Sequence, residues 1–318
     1  MRLLITGSSG YVGNFLAEHF AGLGHEVVAC DIRPLERQSG VPGIVFRQLD
    51  VTDAVAVRRA VAETQPDRVL HLAYLMSPQH DAALEEAVDV RGSRNVLAAA
   101  EAVGSVRQLV LFSSTSAYGA HPDNPEFLEE SAPLRPADYA YGRHKKTVEE
   151  IYLTTPRRPN LGLVILRMCT AVGPSYYKPG GLVAAFAKSP VMPLVGGDAR
   201  VQWIHEFDVK ALVWCVVVTP AKSGIFNLAP DDWTSASAMA QALGKPTLRL
   251  PYWLVRGGVA AAWYLRLGTT SPPMVRLMRY GIVATPRKIS DFFGYRFRYG
   301  SLAAFLDAVE RRRAAGLL

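Results

Sequence analysis

The segment TGSSGYVG, residues 6–13, follows the short apolar run LLIT at residues 3–6 and opens a stretch with helical periodicity. Glycine is required three times in such a turn: Gly7 for the bend, Gly10 for close approach of a pyrophosphate, and Gly13 for helix packing on the strand. The free N–H groups at the start of the helix favour an anion there. The segment therefore predicts a dinucleotide-binding turn. Its predicted cofactor contacts are Gly7, Ser9, Gly10, Tyr11, Val12 and Gly13.

Apolar runs alternate with helix-like segments through the first half of the chain. Continuous apolar strands, each followed by a helix, are typical of parallel β-α-β units whose sheet is buried on both faces. The sequence therefore predicts an α/β protein with a doubly wound parallel sheet of the Rossmann type. The predicted strands contain LLIT (3–6), EVVACD (26–31), RVLHLA (68–73), QLVLFSS (108–114) and LGLVILR (161–167).

The alternation ends after Arg167, where prolines and glycines indicate loops and short elements. We predict a Rossmann domain over residues 1–170. A helix expected at 206–218 would return to it, so that about 205–220 belong there too. Residues 171–318 are predicted to form a smaller, discontinuous, mainly substrate-binding domain.

Composition excludes several classes of protein. The 318 residues are 49% apolar, which fits a globular chain. The opening MRLLITG does not resemble a signal peptide, and the apolar runs fall short of the roughly 20 residues that span a bilayer. The net charge of +7 comes from scattered basic residues, so we expect no nucleic-acid partner.

The cysteines indicate a reducing environment. Cys30, Cys169 and Cys215 are odd in number, widely separated and set in apolar sequence. This pattern argues against a disulfide framework and against a metal cluster. We therefore expect a cytoplasmic protein with no metal site.

Asp31 ends the second predicted strand, 18 residues after Gly13. A carboxylate there can accept hydrogen bonds from both adenosine ribose hydroxyls and would repel a 2′-phosphate, which favours NAD over NADP. Arg33 weakens this preference because it could reach a phosphate. Asp50, in LDVTD, could either cap the next helix or bind the adenine.

Two further segments carry chemistry. YGRHK, residues 141–145, places Tyr141 and Lys145 four positions apart, on one face of a helix. A surface pair with no chemical role is the simpler interpretation of that spacing alone. SSTSAYG, residues 113–119, ends a strand at the carboxyl edge where open α/β sheets bind ligands.

Together, and in this order, these segments resemble the extended short-chain dehydrogenase/reductase family, of the NAD-dependent epimerase/dehydratase type. The resemblance implies an enzyme acting on a small molecule, with Tyr141 as the acid/base and Lys145 lowering its pKa and binding the nicotinamide ribose. Ser114 would orient the reacting oxygen, with Thr115 as the alternative. A homodimer through the helix with YxxxK and the preceding helix is also implied. Further implied cofactor contacts are Asp50, Val51, Leu72 and Ala73.

Departures from the family pattern leave the substrate open. Thr170 stands where nucleotide-sugar epimerases commonly have Asn, and Val201 where they have a phosphate-pairing Arg, although Arg200 is adjacent. Asp89 replaces a further Asn, which puts an Asn-dependent proton relay in doubt. Three alternatives remain for the function: an enzyme acting on a nucleotide sugar, an enzyme acting on a lipophilic hydroxy or keto compound, and a non-catalytic dinucleotide sensor. Thr170 and Arg200 are candidate substrate contacts.

Three other features are considered for a functional role. The stretch 251–267 is predicted to be an amphipathic helix that covers the core, or alternatively a wall of a lipophilic pocket or a membrane contact. Tyr118 could line a pocket or pack in the core. His144 and Lys146 are predicted to be surface residues.

Overall fold

A computed structural model describes residues 1–34, 41–137, 139–176, 181–219 and 223–318 of the chain. The strands are β1 Arg2–Thr6, β2 Glu26–Asp31, β3 Ile44–Gln48, β4 Arg68–His71, β5 Gln108–Ser114, β6 Gly162–Met168, β7 Thr170–Val172, β8 Met192–Val195, β9 Arg200–Val201, β10 Trp203–His205, β11 Gly224–Leu228, β12 Thr234–Ser235 and β13 Thr247–Leu250. The α-helices are α1 Tyr11–Gly22, α2 Ala54–Thr64, α3 Ala82–Glu86, α4 Gly92–Ala102, α5 Ala140–Thr154, α6 Gly181–Lys188, α7 Glu206–Val218, α8 Ala236–Ala242, α9 Tyr252–Tyr264, α10 Arg287–Phe293 and α11 Ser301–Ala314.

The largest sheet has seven strands in the order β11-β6-β5-β4-β1-β2-β3. β1 pairs in parallel with β2 and β4, and the pairs β2–β3 and β4–β5 are also parallel. Leu3, Leu4 and Ile5 of β1 are all buried, as are all seven residues of β5. Such strands carry apolar residues on both faces because helices cover both sides. The predicted doubly wound parallel sheet is confirmed.

Two compact units make up the described chain. The first comprises residues 1–114, 144–167 and 210–226, and the second comprises 115–143, 168–209 and 227–318. Residues 115–143, which the sequence analysis placed in the Rossmann domain, thus cluster with the second unit. The assignment of cofactor and substrate to separate domains stays a prediction.

Local sequence explains the helix boundaries of the first unit. Asp53 begins α2 because its carboxylate accepts from the Val55 and Ala56 N–H groups, both at 2.9 Å. Asp50 therefore does not cap this helix. Between α3 and α4 the chain forms a π-helical turn at Ala87–Arg91.

The second unit has its own apolar core. Trp203, Met239 and Phe305 are fully buried there, and the Trp203 and Phe305 ring centroids lie 5.5 Å apart. Buried Asp208 accepts from the Tyr295 hydroxyl at 2.6 Å and from the Arg298 N–H at 2.8 Å. Because a buried carboxylate needs such donors, this aspartate fixes the chain that leads into α11.

Helix α9 confirms the helix predicted in 251–267 but not its role in the core. Of its thirteen residues, all within the described chain, none is buried. One side of the helix is nevertheless half-buried, so the prediction that this segment covers the core stays a prediction. Throughout the described residues, no helix combines the length and apolar character needed to cross a bilayer.

Candidate active site

The glycine turn has the conformation that its sequence predicts. Gly7 has a φ of +73°, and a Cβ atom there would lie 2.6 Å from the Leu72 carbonyl carbon. A Cβ on Gly13 would collide with the Gly7 carbonyl oxygen. A side chain at Gly7 or Gly13 would therefore fill the cradle, which is the space between this turn and the end of β4, where Leu72 and Ala73 lie.

The first helix begins directly at this turn. Gly10 precedes α1 without any side-chain cap, and Tyr11 and Val12 form its first positions. The first turn of α1 contains no acidic residue. A twelve-residue helix that starts in this way can accept a phosphate anion at its N-terminus.

Asp31 lies at the end of β2 beside the turn. Its Oδ2 accepts from the Ser9 N–H at 3.0 Å, and its Oδ1 accepts from the Arg33 N–H at 2.9 Å. A carboxylate offers about four acceptor positions, so further hydroxyl donors can still bind. The exposed Arg33 guanidinium is 3.8 Å from the same carboxylate.

Two more predicted cofactor residues follow β3. Asp50 is exposed and accepts from the Thr52 N–H at 2.8 Å through its Oδ1. Val51 is buried against Gly92, where a Cβ would lie 2.7 Å from a Val51 methyl group. The adenine role of Asp50 remains a prediction.

Lys145 lies in the interior of the first unit. Its side chain donates to the Phe112 carbonyl at 2.5 Å, and its ammonium lies 2.9 Å from the centroid of the Tyr74 ring. Burial lowers the pKa of Lys145 well below its usual value, while the carboxylates of Asp89 and Glu149 raise it. The fold thus places a desolvated amine at the carboxyl end of β5.

A buried ion pair fixes the elements around Lys145. Arg167 of β6 donates to Glu149 of α5, with contacts of 2.7 to 3.1 Å. The same carboxylate accepts from the Ser113 hydroxyl on β5. Three elements are thereby fixed around Lys145 by one bidentate pair.

His144 corrects a prediction. Its Nδ1 lies 3.0 Å from Asp89 Oδ2, and the side chain is 16% exposed, so it is not a surface residue. Asp89 is buried within the π-helical turn, and its other oxygen accepts from the Leu75 N–H. Lys146 is a surface residue, as predicted, in an ion pair with Glu150.

A second polar network lies at the end of β4. His71 is fully buried between the Thr6 hydroxyl at 2.7 Å and the Ser93 hydroxyl at 2.9 Å. Burial, together with the nearby charge of Lys145, lowers the pKa of His71 to about 3. Ser93 in turn donates to the Tyr74 hydroxyl at 2.9 Å. The imidazole is therefore neutral over the physiological range.

Two of the three predicted catalytic residues, Ser114 and Tyr141, fall at element boundaries. Ser114 is the last residue of β5, and Thr115 begins the 3₁₀ turn that follows; both are buried. Tyr141 is half-buried in the first turn of α5, one helical turn before Lys145. The predicted YxxxK spacing on one helix is therefore present.

Other predicted contacts lie in the second unit. Thr170 is exposed at the start of β7. Arg200 on β9 points its Nη2 at the Pro125 carbonyl, 3.3 Å away, with its guanidinium 5.9 Å from the Trp233 ring. Tyr118 is fully buried and donates to Asn227 at 2.7 Å, which supports its core interpretation.

Comparison with known proteins agrees with this architecture. The profile of the NAD dependent epimerase/dehydratase family matches residues 3–229. The chain belongs to this family. The match confirms the resemblance drawn from the glycine turn, the serine-rich strand end and YxxxK, and it makes the protein an NAD-dependent oxidoreductase or epimerase by family.

Individual relatives are more distant. A UDP-glucose 4-epimerase of Streptomyces lividans is 32% identical over 73% of this chain and 64% of its own length. An uncharacterized protein of Mycobacterium tuberculosis is 26% identical over 96% of this chain and 82% of its own. The UDP-glucose 4-epimerase of Thermus thermophilus, solved as a complex with NAD, is 25% identical with a TM-score of 0.77, covering 99% and 100% of the two chains.

The first unit of this family member fits the cofactor. A dinucleotide requires three features that this unit has: the cradle that a Cβ would fill, the uncapped start of α1 and the acceptor oxygens of Asp31. NAD is thus the cofactor, as predicted. Sequence reasoning did not find Tyr74, His71 or the partners of Asp89, because those contacts join residues distant in sequence.

Proposed function

We propose that the protein transfers a hydride to or from the carbon of a secondary alcohol or ketone, with Tyr141 as the acid/base. NAD, when bound, supplies the hydride acceptor or donor. In the alcohol-to-ketone direction, Tyr141 takes the hydroxyl proton while the carbon gives up its hydride. Ser114, or Thr115 in its place, donates a hydrogen bond to the reacting oxygen.

The buried amine of Lys145 is the observation that carries this proposal. A cation one helical turn from a phenol favours the phenolate, and a low-dielectric setting strengthens that effect. Burial lowers the pKa of this amine well below its usual value, and the carboxylates of Asp89 and Glu149 oppose that shift. Such a costly arrangement is expected where a charge has a chemical task.

Replacement of Tyr141 by Phe tests the proposal. Tyr141→Phe should abolish turnover and leave NAD affinity nearly unchanged, because only the proton acceptor is removed. Tyr264→Phe, on an exposed tyrosine of α9, is the matched control and should keep full activity. Retained turnover in Tyr141→Phe would support a dinucleotide sensor or a different mechanism.

For the substrate, we propose a nucleotide sugar. The Streptomyces lividans and Thermus thermophilus relatives, both named UDP-glucose 4-epimerase, support this choice. Arg200 is the guanidinium nearest in sequence to the expected phosphate partner, and Thr170 offers an exposed hydroxyl. A redox-neutral epimerisation would follow if the ketone turned over before being reduced again.

A lipophilic hydroxy or keto compound is the second candidate. The second unit contains a cavity of about 70 Å³ whose lining includes Tyr139, Tyr252, Pro273 and Leu277. Part of this lining is aromatic and aliphatic, but the cavity is smaller than the roughly 300 Å³ of a ligand pocket, so it can take only part of such a compound. Arg276, also in the lining, donates to the Ala120 carbonyl at 2.6 Å, so its guanidinium already has a partner.

Ligand titration separates the two candidates. UDP should stabilise the NAD-loaded protein against heat in proportion to its concentration if the substrate is a nucleotide sugar. An Arg200→Met variant should lose that stabilisation while its NAD-dependent stabilisation persists. If UDP has no effect up to millimolar concentration and a hydroxysteroid does, the second candidate replaces the first.

We further propose a homodimer in a reducing compartment such as the cytoplasm. Leu153 is an exposed apolar residue on α5, one of the two helices implied in the interface. A Leu153→Arg variant should sediment as a monomer if this is correct. The three cysteines are free thiols, and burial raises the pKa of Cys30 to about 12, which supports structural thiols with low reactivity.

A further inference from the structure

Helix α9 exposes an apolar surface that the fold does not cover. One side of the helix, with Tyr252, Val255 and Val259, is half-buried. The opposite side spans about 140° of the helix and contains only apolar residues. We call this side the apolar face of α9. It consists of Trp253, Leu254, Gly257, Gly258, Ala261, Tyr264 and Leu265.

The exposure of this face is large. Trp253 is 74% exposed and Tyr264 is 80% exposed, and Leu267 just beyond the helix is also 80% exposed. Cβ atoms built on Gly257 and Gly258 would meet nothing within 4 Å. A helix that is apolar all round is normally buried in a core or in lipid, and contiguous exposed apolar patches mark interaction sites.

The surrounding sequence has a strong charge bias. Residues 233–290 contain no aspartate or glutamate. Where these basic side chains are exposed, they attract anionic partners. Eight basic residues lie in the same segment: Lys245, Arg249, Arg256, Arg266, Arg276, Arg279, Arg287 and Lys288.

From these observations we infer that the apolar face of α9 binds the surface of an anionic lipid bilayer. Tryptophan and tyrosine prefer the headgroup level, and leucine enters the acyl boundary. Arg256 and Arg266 flank the face and can extend their guanidinium groups to lipid phosphates while their stems lie along the apolar surface. The helix would lie in the plane of the interface.

A second copy of the chain is a poorer occupant. A two-fold interface brings the patch against its own copy, so Arg256 and Arg266 would face a segment, residues 233–290, that has no acidic residue to pair with them. An anionic bilayer satisfies both the apolar face and the arginines at once. This inference goes beyond the proposed reaction, because it does not depend on the substrate.

Vesicle sedimentation of the full-length protein tests the inference. The wild type should sediment with vesicles of phosphatidylcholine mixed with phosphatidylglycerol, and less with phosphatidylcholine alone. Trp253→Glu should reduce the apparent affinity roughly tenfold or more, because it removes a large apolar side chain and adds a repelled charge. Val55→Glu is the matched control, since Val55 is 75% exposed on α2, and should bind like the wild type.

Gly257 offers a second pair of variants that cannot disturb packing. Gly257→Glu should lose vesicle binding and Gly257→Ala should keep it, as both side chains point into open space. Unchanged NAD affinity in all variants shows that they fold. The inference is overturned if the wild type stays in the supernatant, if neutral vesicles bind equally well, or if Trp253→Glu still sediments. Conversion of a dimer to a monomer by Trp253→Glu, with no vesicle binding by the wild type, would assign the face to a second copy.

Discussion

Helices α5 and α9 depart from the usual distribution of residues in opposite directions. α5 buries the amine of Lys145 and the carboxylate of Glu149, whereas α9 exposes Trp253 and Tyr264. Each departure costs free energy in the isolated fold, because charges prefer water and large apolar side chains avoid it. Arg167 already pairs with Glu149 within the fold. We infer that the remaining costs are offset by binding: of a dinucleotide and substrate near Lys145, and of a lipid surface at α9.

The largest expected effect is on catalysis by α5. Lys145→Met should lower turnover roughly 10²- to 10⁴-fold, the range for lost acid–base assistance. Its free energy of unfolding should stay the same or rise, since an apolar chain replaces a desolvated amine while Glu149 keeps Arg167 as its partner. Turnover and urea denaturation are the measurements.

Lys146→Met is the control for that substitution. Lys146 is partly exposed and pairs with Glu150 at 3.8 Å on the surface, so removal of its charge should change neither turnover nor stability measurably. If Lys145→Met instead kept its turnover, the buried amine would have only a structural role. The comparison of α5 with α9 would then no longer concern catalysis.

The next effect compares two arginines. Arg167→Met leaves the buried Glu149 carboxylate without its partner and should cost about 3–5 kcal/mol of unfolding free energy. Arg256→Met removes an exposed guanidinium from α9 and should stay within about 0.5 kcal/mol of the wild type. If the two variants lost the same free energy of unfolding in urea denaturation, Arg256 would contribute as much to the stability of the fold as Arg167 does.

These contrasts also show what the sequence could reveal. The glycine turn, the sheet and the YxxxK helix could be predicted because they depend on backbone sterics and local periodicity. The pairing of His144 with Asp89 could not, since it joins residues 55 positions apart. The exposure of α9 could not be predicted either, because an apolar period does not distinguish a core from a membrane surface.

The third effect concerns the buried imidazole next to α5. Because the folded pKa of His71 is about 3 and the unfolded value is 6.5, its contribution to stability is present above pH 6.5 and is lost as pH falls towards 3. Acidification from about pH 7 to about pH 5 should cost about 2 kcal/mol from this residue. Urea denaturation at both pH values measures the loss, and His71→Gln should show a smaller pH dependence. If the wild type and His71→Gln showed the same dependence of stability on pH, the imidazole of His71 would not be buried in its neutral form.

The smallest effect returns to glycines in helices. Gly258→Ala, in the exposed α9, should stabilise the protein by about 0.5–1 kcal/mol, because alanine has lower backbone entropy in the unfolded chain and meets no neighbour. Gly92→Ala, at the start of α4, should destabilise it, since the new Cβ would lie 2.7 Å from Val51. Thermal denaturation without lipid measures whether each substitution raises or lowers the stability of the protein. Destabilisation by both would mean that α9 is packed as closely as α4, and then the face assigned to lipid would already be covered by protein.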